Sequence, residues 1–159
     1  MDGLLAWSLV AHLAGMVMWV GGLLAATMAM AQAAREAGSK RETSPSREAE
    51  LASRMPPAAH AAYTRMTQRL LRALAHPGLI LALAAGIALL FQMPQPVLHS
   101  AWLQAKLGLA AVLIALDWFI TRLAGRMDAA PPSRGAAMRL HALVASVFLA
   151  ILILVLVQP

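Results

Sequence analysis

Five ionisable residues stand inside otherwise apolar stretches of this chain: His12, His76, Lys106, Asp117 and His141. Carrying such a group into hydrocarbon is costly unless it is paired or solvated, so residues of this kind mark functional positions in membrane chains. Histidine suits haem iron within a helical bundle, because a neutral imidazole ligates through one nitrogen while the other finds a partner. His12, His76 and His141 are therefore the candidate metal-binding and cofactor-binding residues. Lys106 offers a cation for an anionic group or an acceptor for a proton, and Asp117 offers a carboxylate for proton transfer; these two are the candidate catalytic residues. Lys106 also counts among the cofactor-binding candidates. Trp19 joins them because it shares a helix face with His12, Gly15 and Gly22, whose glycines permit close helix contact or a flat ring against the backbone.

Each residue has a plainer reading beside the functional one. His76 precedes Pro77 and can bond a carbonyl that the proline frees, while His141 lies two residues past Arg139, close to headgroup level. Met16, Met18, Met28 and Met30 are soft thioethers suited to Cu(I), yet methionine more often serves as an adaptable packing residue. His60 and His99 are in or beside loops and are expected to face solvent.

Elements must hold these groups in place. Of 159 residues, 60% are hydrophobic and only 13% charged, more apolar sequence than a soluble core uses. A spanning helix needs about 20 mostly apolar residues, and four stretches supply them, roughly 4–31, 70–91, 101–123 and 136–157. None alternates as a barrel strand does. The expected fold class is all-α, a polytopic membrane four-helix bundle, with 1–159 forming a single domain. With no cysteine, disulfides and thiolate metal sites are excluded.

The net charge of +6 does not point to nucleic acid, because the basic residues cluster in two segments beside apolar stretches. Arg35, Lys40, Arg41, Arg47, Arg54 and Arg65 lie between the first two stretches, and Arg126, Arg134 and Arg139 between the last two. The positive-inside tendency then puts both termini on the non-cytoplasmic side. The membrane expected is a bacterial inner (plasma) membrane. The first stretch is too long for a secretory signal and lacks a basic lead, so it is expected to stay uncleaved. The connector 34–57 reads as solvated and flexible. Ala58–Arg72 sets Tyr63, Met66 and Leu70 opposite Arg65, Thr67 and Arg69, which suits either a surface-lying helix turning into the second span or a basic stop that fixes topology.

With a helical rise of about 1.5 Å per residue, His12 and Lys106 differ by about 5 Å in depth and share an outer layer. His76 and His141 form an inner layer, with Asp117 one or two turns deeper. Nothing resembles a nucleotide-binding glycine motif, so electrons would leave through a membrane acceptor. Small-residue faces on two spans would tolerate a homo-oligomer.

Four segments resemble a known group, the small four-span membrane proteins related to HemJ-type protoporphyrinogen oxidase and to the CopD copper-resistance domain. They are His12-Leu13-Ala14-Gly15 with Trp19-Val20-Gly21-Gly22; Tyr63–Leu74 followed by Pro77-Gly78-Leu79 and Ala85-Gly86; Trp102-Leu103-Gln104-Ala105-Lys106-Leu107; and Arg139-Leu140-His141 with the closing Ile151–Pro159. The third, similar to that group's Trp-Leu-x-x-Lys-Leu opening of the third span, is the most specific. The resemblance implies a haem b protein in which His12 ligates iron and Lys106 is required, with His141 or His76 as a second ligand. In the oxidase branch such a protein takes electrons and protons from protoporphyrinogen IX to give protoporphyrin IX. That branch carries a Pro-Arg pair and a further His at the end of the first span, where this chain has Ala25–Ala33, and a His where it has Asp117-Trp118. The copper branch implies His and Met residues passing copper through the bundle. A non-catalytic subunit of a membrane complex, docking through the glycine-rich first span, is the third reading.

Overall fold

The computed structural model describes residues 2–39, 58–93, 100–127 and 132–157, and every regular element among them is helical. Helix α1 is Asp2–Ser39, α2 is Ala58–Leu70, a π-helical segment is Leu71–Ala75, α3 is His76–Gln92, α4 is Ala101–Ala124 and α5 is Arg134–Leu156. Four helical stretches are long and apolar enough to cross a membrane: Gly3–Arg35, Ala62–Gln92, Ala101–Ala124 and Arg134–Leu156. Their outer faces carry large bare apolar side chains such as Trp7, Val17, Ile80 and Phe91. Lipid satisfies such faces and water does not.

Local sequence explains the boundaries. Ser100 caps α4 by accepting the Leu103 N–H, and Ser133 caps α5 by accepting the Ala136 N–H, as short hydroxyl side chains do at helix starts. Pro77 lacks an N–H, and its ring crowds the carbonyl of Ala73 four residues back. The wider π turn immediately before it, closed by the His76 N–H to the Leu71 carbonyl, is where the helix accommodates that defect.

Two expectations change here. The connector from residue 34 starts later, because α1 stays helical to Ser39; the part from 40 to 57 lies outside the described residues. Ala58–Arg72 is not a separate helix, since helical backbone runs unbroken from α2 through Leu70 and His76 into α3. The reason is that the extended α1 offers α2 a partner. Thr64, Thr67 and Leu71 are buried, and Tyr63 and Leu70 pack against the cluster that contains Met30, Ala31 and Ala33. His60 accordingly falls within a helix rather than a loop, and His99 lies outside the described residues.

Helix α1 is the hub, packed most extensively on α3 and next on α5. Its contact with α3 is a backbone approach through small residues. A Cβ added to Gly15 would lie 2.5 Å from the Ala82 nitrogen, one at Gly22 would lie 2.7 Å from that of Ala75, and one at Gly78 would lie 2.4 Å from that of Trp19. Helices in lipid associate through such van der Waals contact, because no hydrophobic force acts between them there. Gln92 donates to the Ser8 hydroxyl at 3.3 Å, so α1 and α3 run antiparallel with residues near 8 and 92 at one end. Trp102 donates to the Leu154 carbonyl at 2.6 Å and places α4 against α5 at that same end, here called the terminal end. The opposite, basic end carries Arg72, Arg122, Arg126 and Arg134. Among the described residues α3 and α4 barely touch, which leaves that side of the bundle open.

Candidate functional site

The sequence-predicted residues separate into an outer position and an inner polar group. At the outer position His12, half-buried on α1, brings Nδ1 to 2.8 Å from the Ala82 carbonyl oxygen on α3. A carbonyl only accepts, so Nδ1 carries the proton and the lone pair of the neutral ring is on Nε2. Gly86, one turn further along α3, makes room for the ring: a Cβ there would lie 3.2 Å from both His12 Cε1 and Nδ1.

Lys106 turns back along α4 and sets its ammonium 4.1 Å from the centroid of the Trp102 ring, a cation–π contact at the terminal end. Trp102 is in turn fixed by its bond to Leu154. The face of His12, Gly15, Trp19 and Gly22 is the α1 surface that meets α3, so of the two uses open to its glycines the structure displays close helix contact. Trp19 is 1% exposed and belongs to the core seven residues from His12, about 10 Å along the helix.

The inner group gathers around Trp19. Asp117 of α4 is 5% exposed, beside the Trp19 indole and within electrostatic reach of His76. Neither Trp19 Nε1 nor Asp117 Oδ1 attains hydrogen-bond geometry with any partner. His76 Nε2 lies 3.4 Å from the Thr121 hydroxyl, one turn along α4 from Asp117 and nearer the basic end. These groups form a short polar row between the core of the bundle and its basic end, with an imidazole and a carboxyl able to hold and pass protons.

His141 is held apart from that row. Its Nδ1 lies 3.1 Å from the Thr27 hydroxyl, which is itself within 2.9 and 3.0 Å of the Leu24 and Leu23 carbonyls. The single hydroxyl proton goes to those carbonyls, so His141 Nδ1 donates to Thr27 Oγ1. Thr27 and His12 are fifteen residues apart on α1, about 22 Å, so His12 and His141 do not meet at one iron. His76 stands beside Thr121 and within electrostatic reach of Asp117, and so belongs to the inner group. Among the described residues no three His, Asp or Glu side chains converge on a point where they would hold a metal ion.

Thr27, Thr121, Gly86 and the Ala82 carbonyl are partners of the candidate histidines that residue-by-residue reading did not pair with them. The threonines carried a usable signal, as hydroxyls within apolar helices; the backbone carbonyl carried none. Compared with family profiles, curated proteins and solved structures, the chain matches nothing.

Proposed function

We propose that this chain is a haem b-binding membrane oxidoreductase of the HemJ type, acting on a porphyrinogen, with His12 as an axial ligand. The observation that carries the reading is the Nδ1–H bond of His12 to Ala82, which fixes the tautomer and leaves Nε2 as a lone-pair donor. Gly86 supplies the space the ring needs, so the residues present fit a single axial imidazole. Haem, once bound, supplies the electron-accepting centre. His12 would hold it, Lys106 would provide positive charge for a propionate, and the row Asp117, His76, Thr121 would take up protons toward the basic end. His76 and His141 have other partners and are not needed as iron ligands. Electrons leave to a membrane acceptor.

The same reading sets the basic end in the cytoplasm and both termini outside on the strength of the Lys and Arg distribution, and takes the membrane to be a bacterial inner membrane as the HemJ-type resemblance implies. Copper transport stays second. Met30 is buried in the core and Met16 packs against it, while Met18 and Met28 face outward, so the four methionines line no common path. The docking-subunit reading draws less support again, because Gly15 and Gly22 are already used against α3.

The test is a reduced-minus-oxidised absorption spectrum of the protein purified in mild detergent after expression with ample haem, beside His12→Ala. A b-type spectrum that collapses in the variant supports the proposal. A colourless wild-type protein that retains copper sinks it and favours the copper reading.

A further inference from the structure

The outward face of α2 and the π segment carries an open groove of about 390 Å³, lined by Arg65, Met66, Arg69, Leu70, Ala73 and Leu74 among others. Its chemistry is graded along the helix. Toward α2 it presents two exposed arginines four residues apart, on one face, and toward α3 it presents only apolar side chains.

The depth of this groove follows from its neighbours. His76 is level with Thr121, and the adjacent Arg122 stacks its guanidinium 4.0 Å from the centroid of the exposed Trp118 ring. A stacked, exposed Trp–Arg pair at a helix end is an interfacial anchor, and α4 ends two residues later at Ala124. Carried across to the π segment, Arg122 is level with Ala75 and the end of α4 at Ala124 is level with Ala73. At about 1.5 Å per residue Arg69 lies about 6 Å, and Arg65 about 12 Å, beyond Ala73. A headgroup layer is about 5 to 7 Å thick, and the long arginine stems let both guanidiniums reach its phosphates.

We propose that this groove is a binding site for one anionic phospholipid of the phosphatidylglycerol class. Arg65 and Arg69 clamp its phosphodiester oxygens through charge-assisted hydrogen bonds, and Leu70, Ala73 and Leu74 take the start of an acyl chain. The site stands on α2 and the π segment alone and does not depend on haem. Its arginines lie on the helix that continues directly into His76, so an occupied site would brace the basic end of the polar row.

The experiment is native mass spectrometry of the full chain released from nanodiscs that contain phosphatidylglycerol and phosphatidylcholine in equal amounts. The wild-type protein is expected to retain one phosphatidylglycerol and no phosphatidylcholine. Arg65→Gln combined with Arg69→Gln is expected to lower that retention at least tenfold, while Arg126→Gln combined with Arg134→Gln, at the same end but outside the groove, changes it less than twofold. Equal weakening by the two pairs means diffuse attraction of anionic lipid to a basic surface and overturns the proposal, as does equal retention of phosphatidylcholine. Circular dichroism of each variant confirms that helix content is unchanged, and Arg65→Lys with Arg69→Lys, which keeps the charge but not the planar fork, is expected to fall between wild type and the Gln pair.

Discussion

Nδ1 of His12 is bonded to the carbonyl oxygen of Ala82, seventy residues along the chain, at 2.8 Å. That one contact fixes a tautomer, aims a lone pair and ties the centre of the outer position to the helix that also carries Gly86. If haem binds as proposed, replacing His12 with Ala removes its ligand without adding bulk, and haem content is expected to fall at least tenfold. Pyridine haemochrome assay of the purified variant measures it; unchanged haem content excludes His12 as a ligand.

Gly86 tests the same position from the other side. A side chain there meets the imidazole at 3.2 Å from the first carbon onward, so Gly86→Leu is expected to displace the ring and, if haem binds as proposed, to shift or bleach its spectrum while His12 is still present. Gly86→Ala is expected to cause a smaller change, since an imidazole can give by a few tenths of an ångström.

The α1–α3 crossing depends on hydrogen atoms where other residues have carbon. Gly78→Leu would drive a Cβ into the Trp19 backbone, and Gly15→Leu into that of Ala82. Each is expected to destabilise the bundle by about 3 kcal/mol or more, since backbone gives less readily than side chain. Gly21, with nothing within 4 Å of an added Cβ, is the control: Gly21→Ala is expected to stay within about 0.5 kcal/mol of wild type. Reversible unfolding in mixed micelles reads both.

Thr27 and His141 form one coupled unit between α1 and α5. Thr27→Val keeps the shape and strands the His141 N–H, at an expected cost of about 1 to 3 kcal/mol. In the background of His141→Phe the same change is expected to cost much less. A double-mutant cycle showing no coupling would rule out the bond.

Asp117 is nearly enclosed, with one carboxyl oxygen lacking any hydrogen-bond partner, beside Trp19 and His76. If the chain oxidises a porphyrinogen as proposed and Asp117 takes up protons during turnover, Asp117→Asn lowers that activity by about 100-fold with haem content unchanged. A loss of haem in parallel with activity would instead mark Asp117 as structural.

Particular residues show how far the linear chain carried the reading. The extents of α4 and α5 were legible to within about two residues because the apolar segments are long, while the Ser100 and Ser133 caps that start them emerged only from the structure. The inner layer was partly legible, as His76 and Asp117 come near each other where depth alone put them. The face of α1 containing His12 and Gly22 was legible too, yet its use was not, since a glycine stripe serves a ring or a helix equally well. The packing of α2 on α1 stayed hidden because Thr64 and Thr67 look like solvent-facing residues until a partner helix covers them.

By itself the sequence determined an all-helical chain with four segments able to cross a membrane and its positive charge gathered at one end. Segment length and charge order are properties along one dimension, and the bilayer's thickness and dielectric act on them directly. Only the tertiary structure decided what each histidine touches. The His12 and His141 partners lie 70 and 114 residues away, and His12 meets the Ala82 carbonyl at a register between α1 and α3 that glycine contacts such as Gly15 on Ala82 and Gly22 on Ala75 set. Shifting that register by one turn moves each ring about 5.4 Å from its acceptor, beyond the reach of any hydrogen bond.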